Sequence, residues 1–501
     1  MKSLKILLVL LLVIFMGQAQ QDVEEMMRKL EEATRKEMEE TQKKVDQYIS
    51  AQDSAFAAFL EKEWELYNTY TGKKNLEKPK PKEIPVAEPE TKVDIPGKKI
   101  EPIIIPEKEE KEEEKEVEEE KQVIPPEPEI EKKKIEPKYK ESLELNFYGA
   151  PVAIRYSPQF RTNLESPFDN KNISKMWKKL SATDYPDFLD ALQSYKKKLN
   201  LNGWGYYKFI NKVGREINQG SHNNSSIFTW FFLTKSGYRV RIAYNDNRIY
   251  LLVPSASMLY SISYLTINQE KYFLINREEG KRDKIYSYKN DYPTAHQSLD
   301  LWMKNEPRLD DHTKSKSLDF KYLGDNHQIQ VNYKPALIEY LSDYPQTDYE
   351  IYFEAPLSEK SRVTLLRELA PMVEGKTATE ALNLLLRFVQ TSFKYKTDDL
   401  NFGREKPLFP EETLFYPFSD CEDRSVLFAY LVRNLLDLKV IGIKYPGHIA
   451  TAISIEGPLK GDYLSYQNED YIICDPTYIN ANIGQSMPQF KNVKPEIIFS
   501  D

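Results

Sequence analysis

Between Lys73 and Lys140 the chain reads KPKPKEIPVAEPE, EKEEKEEEKEVEEEK and IPPEPEIEKKKIEPK, with 11 of its 30 prolines and no aromatic residue before Tyr139. So little apolar surface cannot offset the entropy lost on ordering a chain. We expect a disordered, partly extended spacer over residues 73–140. It divides the 501 residues into a short leading piece and a long trailing one, and that length predicts two or three folded units.

The leading piece opens with basic Lys2 and Lys5, an apolar run from Ile6 to Met16, and small residues at Gly17 and Ala19. That arrangement predicts a signal peptide over residues 1–19, too short to span a membrane comfortably. No cysteine follows the run, which argues against a lipoprotein anchor, and no later stretch reaches membrane length. The mature chain is expected to be secreted or periplasmic, without a transmembrane segment. Residues 20–72 carry helical periodicity: Val23, Met26, Met27, Leu30, Met38, Val45, Tyr48 and Ile49, then a stripe of Phe56, Phe59, Leu60, Trp64 and Tyr67. Such a stripe needs a partner, either its own helical hairpin or coil, or an envelope component.

Composition narrows the function classes. A net charge of −8 spread among Lys–Glu neighbours offers no basic stripe for nucleic acid, so none is expected as a partner. Two cysteines, Cys421 and Cys474, are too few for a disulfide framework, so packing must hold the core. There is no P-loop, GxGxxG, HExxH or paired CxxC, and Asp310, Asp311 and His312 lack convergent ligand spacing; neither cofactor nor metal is expected.

From Glu141 onward the chain is rich in aromatics and patterned as α+β, in two units, 141–320 and 321–501. Helices are predicted near Ile173–Leu199, Gly205–Ile217, Ser361–Val373 and Thr377–Ser392. SIFTWFFL reads as a buried helix closed at Gly237, followed by strands Arg239–Tyr244 and Arg248–Val253. Alternation predicts further strands at Gln328–Tyr333 and Tyr349–Phe353.

In FSDCEDRSVLFAYL, Ser419 and Glu422 have capping-box spacing ahead of an apolar helix, which puts Cys421 in the first turn. Unpaired amides and the helix dipole there favour a thiolate, whereas Asp420, Glu422 and Asp423 oppose it and Arg424 relieves them in part. His448 follows the Pro446-Gly447 turn at a strand entry, where an imidazole could take the thiol proton. Asp475 follows an apolar strand in DYIICDPTY and could hold the other ring nitrogen. If Asp475 faces a site, alternation turns Cys474 into the core and excludes a disulfide with Cys421.

DCEDRS at a helix start, PGH leading a strand and DPTY after the next strand resemble the transglutaminase-like superfamily, over roughly Ser361 to Pro488. The resemblance implies a papain-like α+β fold in which Cys421 is nucleophile, His448 base and Asp475 its orienting acid. Where many members have an aromatic residue shortly after the histidine, this chain has Ala450 and Thr451. It further implies amide hydrolysis through a thioester, on a peptide or protein substrate. The alternatives are a non-catalytic envelope binding or scaffolding protein that keeps the fold, and an ordinary papain-type protease with asparagine as its usual third member.

The segment from Ser226 to Leu252 also reads like that from Ser425 to Ile453, with two residues fewer at the helix end, Asn223 standing for the cysteine and Arg248 for the histidine. Duplication, leaving a degenerate transglutaminase-like copy in 141–320, and convergence on a helix-hairpin pattern explain this equally well.

Overall fold

The computed structural model describes the backbone of residues 2–72, 84–88, 99–102, 138–277 and 284–500, with side chains from residue 25 onward. A single helix, α1 (Lys2–Leu60), opens it. Among the described residues no helix is long and apolar enough to cross a membrane. Met26, Met27, Leu30, Met38, Val45, Tyr48 and Ile49 of α1 lie exposed, whereas Phe56, Ala57 and Leu60 are buried. The chain then turns at Glu61 and forms strand β1 (Glu65–Asn68), so the helical reading through residue 72 fails after Leu60. The stripe finds its partner within the chain: Trp64 packs edge-on against Tyr244 and Tyr288, where a continuing helix would have carried it away.

The first lobe continues with the hairpin β2 (Glu141–Phe147) and β3 (Ala150–Tyr156), then helices α2 (Asn170–Ala182), α3 (Pro186–Lys198), α4 (Gly203–Ile217) and α5 (His222–Lys235). Strands β4 (Arg241–Tyr244), β5 (Ile249–Pro254), β6 (Tyr264–Ile267), β7 (Glu270–Leu274) and β8 (Lys284–Ser287) join β1 in an antiparallel sheet of order β1-β8-β4-β5-β7-β6. Helix α5 is enclosed, with Ile227 to Leu233 all buried, the polar Thr229 among them. Gly237, at φ +91, closes it in the left-handed region that a side chain would strain. Rings of Phe56, Trp177 and Trp230 meet at 4.7 and 4.8 Å, which locks α1 and α2 onto α5.

The second lobe begins with the hairpin β9 (Lys314–Tyr322) and β10 (Asp325–Tyr333) and helices α6 (Pro335–Ser342), α7 (Tyr349–Glu354), α8 (Glu359–Val373) and α9 (Ala378–Ser392). The expected strand at Tyr349–Phe353 is thus a helix. A short apolar run is compatible with either period, and packing decides: Phe353 stacks on Phe499 at 5.0 Å and Tyr352 meets Phe409 at 4.7 Å. Short β11 (Lys394–Tyr395), α10 (Asp398–Phe402), α11 (Pro410–Phe415) and β12 (Phe418–Ser419) lead to α12 (Cys421–Leu431). Then come β13 (Val440–Tyr445), β14 (His448–Ile453), β15 (Tyr463–Tyr466), β16 (Glu469–Cys474) and β17 (Glu496–Ser500), in an antiparallel sheet of order β15-β16-β14-β13-β17.

The fold is α+β, and one cluster of buried apolar residues runs from Phe56 to Phe499 across both lobes. Tyr344 links them, 6.2 Å from Trp204 and 5.2 Å from Phe409. Most of the spacer lies outside the described residues. Two pieces within it are tied down: Ala87 donates to the Ile479 carbonyl and Ile100 to that of Lys376, both at 2.8 Å. Backbone pairing holds these residues where composition predicted none.

A buried ion pair also fastens α1. The Lys235 ammonium bonds to Asp53, both nearly inaccessible, and the Tyr292 hydroxyl donates to the same carboxylate at 3.0 Å. Asp53→Ala leaves the lysine buried and unpaired and is expected to cost about 3–5 kcal/mol in urea unfolding, while an exposed α1 substitution such as Met38→Ala changes little.

Candidate active site

Three chain segments meet at one end of the second sheet. Helix α12 begins at Cys421, β14 begins at His448, and Asp475 directly follows β16. Because β14 and β16 are antiparallel neighbours, with Thr451 opposite Cys474, the start of one lies beside the end of the other. His448 Nε2 and Asp475 Oδ2 are 2.8 Å apart. The other carboxylate oxygen accepts the amides of Thr477 and Tyr478 at 2.9 and 3.1 Å, an Asx turn that orients Asp475 toward the ring.

The ring's second nitrogen, Nδ1, makes no hydrogen bond of normal geometry. Cys421 lies near enough to the ring to raise its basicity. In this structure the thiol is turned to Glu422, donating to its Oε2 at 3.1 Å. The helix start also lies one residue later than the expected box. Asp420 is the N-cap and Asp423 the third helical residue, with the Asp420 amide donating to Asp423 at 3.0 Å. Ser419 instead belongs to β12, and its hydroxyl accepts from Arg424.

Burial of the imidazole opposes its charge, but Asp475, through charge and hydrogen bond, and Cys421 outweigh that and push it up to about 10. Around the cysteine, Asp398, Glu405, Asp420, Glu422 and Asp423 bring their oxygens close enough to bracket a cation in overlapping sets. Burial, with Asp420 and Asp398 beside it, drives the Asp423 carboxyl well above the carboxylate range. Cys474 faces the core; burial and then Asp475 push its thiol well up, and both cysteines are free.

Sequence reading named Arg424 only as relief for the acidic neighbours of Cys421 and did not find how this geometry is braced. Arg424, buried one turn beyond Cys421, donates to the carbonyls of Gln390 and Phe393 at 3.3 and 2.8 Å, fixing α12 against the end of α9. Gln390 in turn donates to the carbonyls of Asp475 and Ala481, each at 3.1 Å, and accepts from Arg387 at 2.7 Å. The signal available was two polar residues on the apolar face of LLLRFVQ, which burial permits only with partners. Tyr416, just ahead of α12, packs its ring against Phe402 and Phe415 at 5.1 and 4.8 Å.

The three groups are closed off from solvent, with Cys421 2%, His448 1% and Asp475 2% exposed. The Phe490 ring lies parallel to the imidazole, 5.3 Å away and tilted 2°, and stacks on Tyr445 at 4.7 Å. It projects from the exposed loop around Pro488–Lys494 and covers one face of the His448 ring.

Phe490→Ala is therefore expected to speed alkylation of Cys421 by neutral iodoacetamide roughly tenfold at constant pH, read by mass mapping. A second expectation follows from the imidazole. Its folded value lies above the ordinary 6.5, so the pair with Asp475 stabilises the fold fully below about pH 6.5 and loses that contribution as pH rises through about 10. The unfolding free-energy gap between wild type and His448→Ala should shrink across that window in denaturant titrations. Comparison with protein-family models, with curated proteins and with solved structures finds no match.

Proposed function

We propose that the chain is an exported cysteine acyl-transfer enzyme of transglutaminase-like, papain-like type that hydrolyses peptide or related amide bonds. The observation that carries this reading is the imidazole of His448, held by Asp475 at 2.8 Å with Nδ1 left over for the thiol at the start of α12. Because the imidazole is raised to about 10, the reacting state is an imidazolium–thiolate pair with the thiol proton held on Nδ1, and the thiolate, favoured by the helix start, attacks the amide carbonyl. As the carbon–nitrogen bond breaks, His448 returns the proton to the leaving amine, and a thioester remains on Cys421. Water then attacks the thioester and gives one proton to His448, the carbon–sulfur bond breaks, and the acid leaves with the imidazolium–thiolate pair restored. Asp475 steadies the imidazolium and the ring orientation throughout.

A second reading, a binding or scaffolding protein that keeps the fold, draws on the thiol's bond to Glu422 and on the closed site. An activated acyl ester separates the two. On the enzymatic reading, acylation maps to Cys421, is abolished in Cys421→Ala, and falls roughly 10²–10⁴-fold in His448→Ala. Asp475→Asn is expected to lose at least about tenfold, whereas an asparagine-tolerant papain-type site would keep its rate. Absence of acylation at Cys421, with Phe490→Ala giving none either, decides for the binding protein.

A further inference from the structure

The two lobes share more than a class of pattern. In the second, helix α12 is followed by five strands whose spatial order is third, fourth, second, first, fifth in sequence; in the first, α5 is followed by β4 to β8 in that same order, all antiparallel, with β1 added at the far edge. The turns agree as well. Tyr445 and His448 flank a two-residue turn, and Asn245 and Arg248 flank another, closed by the Asn245 amide on the Arg248 carbonyl at 3.1 Å. The next hairpins turn on Gln467 and Asn468, at φ 51 and 66, and on Asn268 and Gln269, at φ 51 and 67. With the first helical residues His222 and Cys421 matched, the first lobe is one residue shorter before its turn, not two, and the difference falls where α12 widens into a π turn, Val432–Leu436, that α5 lacks.

Carrying this register across the strands places Arg248 at the His448 position and Asn276, which follows β7, at that of Asp475. The same corner is assembled. Arg248 donates to His222 Nε2 at 3.1 Å and to the Asn276 carbonyl at 3.0 Å, while Asn223, one residue into α5, accepts from the Ile249 amide at 2.9 Å. Burial and then Arg248 pull His222 below its ordinary value, which matches its role as acceptor. The chemistry is absent: a guanidinium stays protonated and cannot be a base, and the carboxamides of Asn223 and Asn276 are not nucleophiles. Asn276 instead bonds the Leu251 amide, the Ile249 carbonyl and Ser226 at 2.8, 3.2 and 2.9 Å, fastening β7 to β5 and α5.

We infer that the segment from His222 to Ser287 is a second copy of the fold formed by Cys421 to Ser500, and that it is catalytically silent. Bond breaking is confined to the second lobe, and the first keeps the scaffold with a cationic corner in place of a nucleophile. The test rebuilds the corner in the full chain carrying Cys421→Ala. Two variants, Asn223→Cys with Arg248→His and His222→Cys with Arg248→His, cover both helix-start positions, and each is compared with the parent that has the same new cysteine but keeps Arg248, the buried Cys474 being common to both. These positions are exposed or half-buried, and near-ultraviolet circular dichroism checks the fold. If the lobes are copies, the ultraviolet thiolate signal in at least one pair titrates about one pH unit or more below its parent, because the new imidazole stabilises the thiolate. Equal midpoints in both pairs overturn the inference. Cys421 is missing from all these variants, so the outcome does not depend on whether it forms a thioester.

Discussion

The pairing of β14 with β16 is the constraint on which the site depends. Antiparallel neighbours bring the beginning of one strand beside the end of the other, so His448 and Asp475, 27 residues apart, share one corner of the sheet. Helix α12 then has to point its first residue at that corner. Ser425 helps, donating to the Ile449 carbonyl at 3.1 Å, and Arg424 pins the same turn to α9. The three groups are therefore positioned by regular elements rather than by loops, which suits a task that fails if distances drift.

Charge is handled inside this corner at some cost. Several carboxyls lie buried beside the thiol, and burial with Asp420 and Asp398 beside it pushes that of Asp423 well above the carboxylate range. Arg424 is also buried, and its guanidinium is satisfied by carbonyls and a hydroxyl. Removing any one partner leaves a buried group that water cannot reach, which is why such networks resist piecemeal change. The aromatic stack of Tyr445, Phe490 and His448 shields the ion pair and strengthens it by keeping the local dielectric low.

Where sequence reading held, a strong local signal was present. Gly237 closed α5, Pro446-Gly447 turned the hairpin before His448, and the apolar strand ended at Asp475 as expected. Where it failed, distant partners decided. Tyr349–Glu354 is helical because Phe353 and Tyr352 meet rings far along the chain, and Glu65–Asn68 is a strand because β8 offers an edge. The bracing by Gln390 and Arg387 was invisible because a polar residue on an apolar helix face does not reveal which carbonyl it reaches.

The sequence by itself determined most of the elements, the chain order cysteine, histidine, aspartate, and the composition that sets the spacer apart, since these depend on local periodicity, turn chemistry and apolar content. Only the tertiary structure decided that Asp475 lies on His448, that the thiol turns to Glu422, that Phe490 covers the corner, and that both sheets follow one strand order. Those facts depend on contacts between residues far apart in the chain, and no local preference encodes such distances.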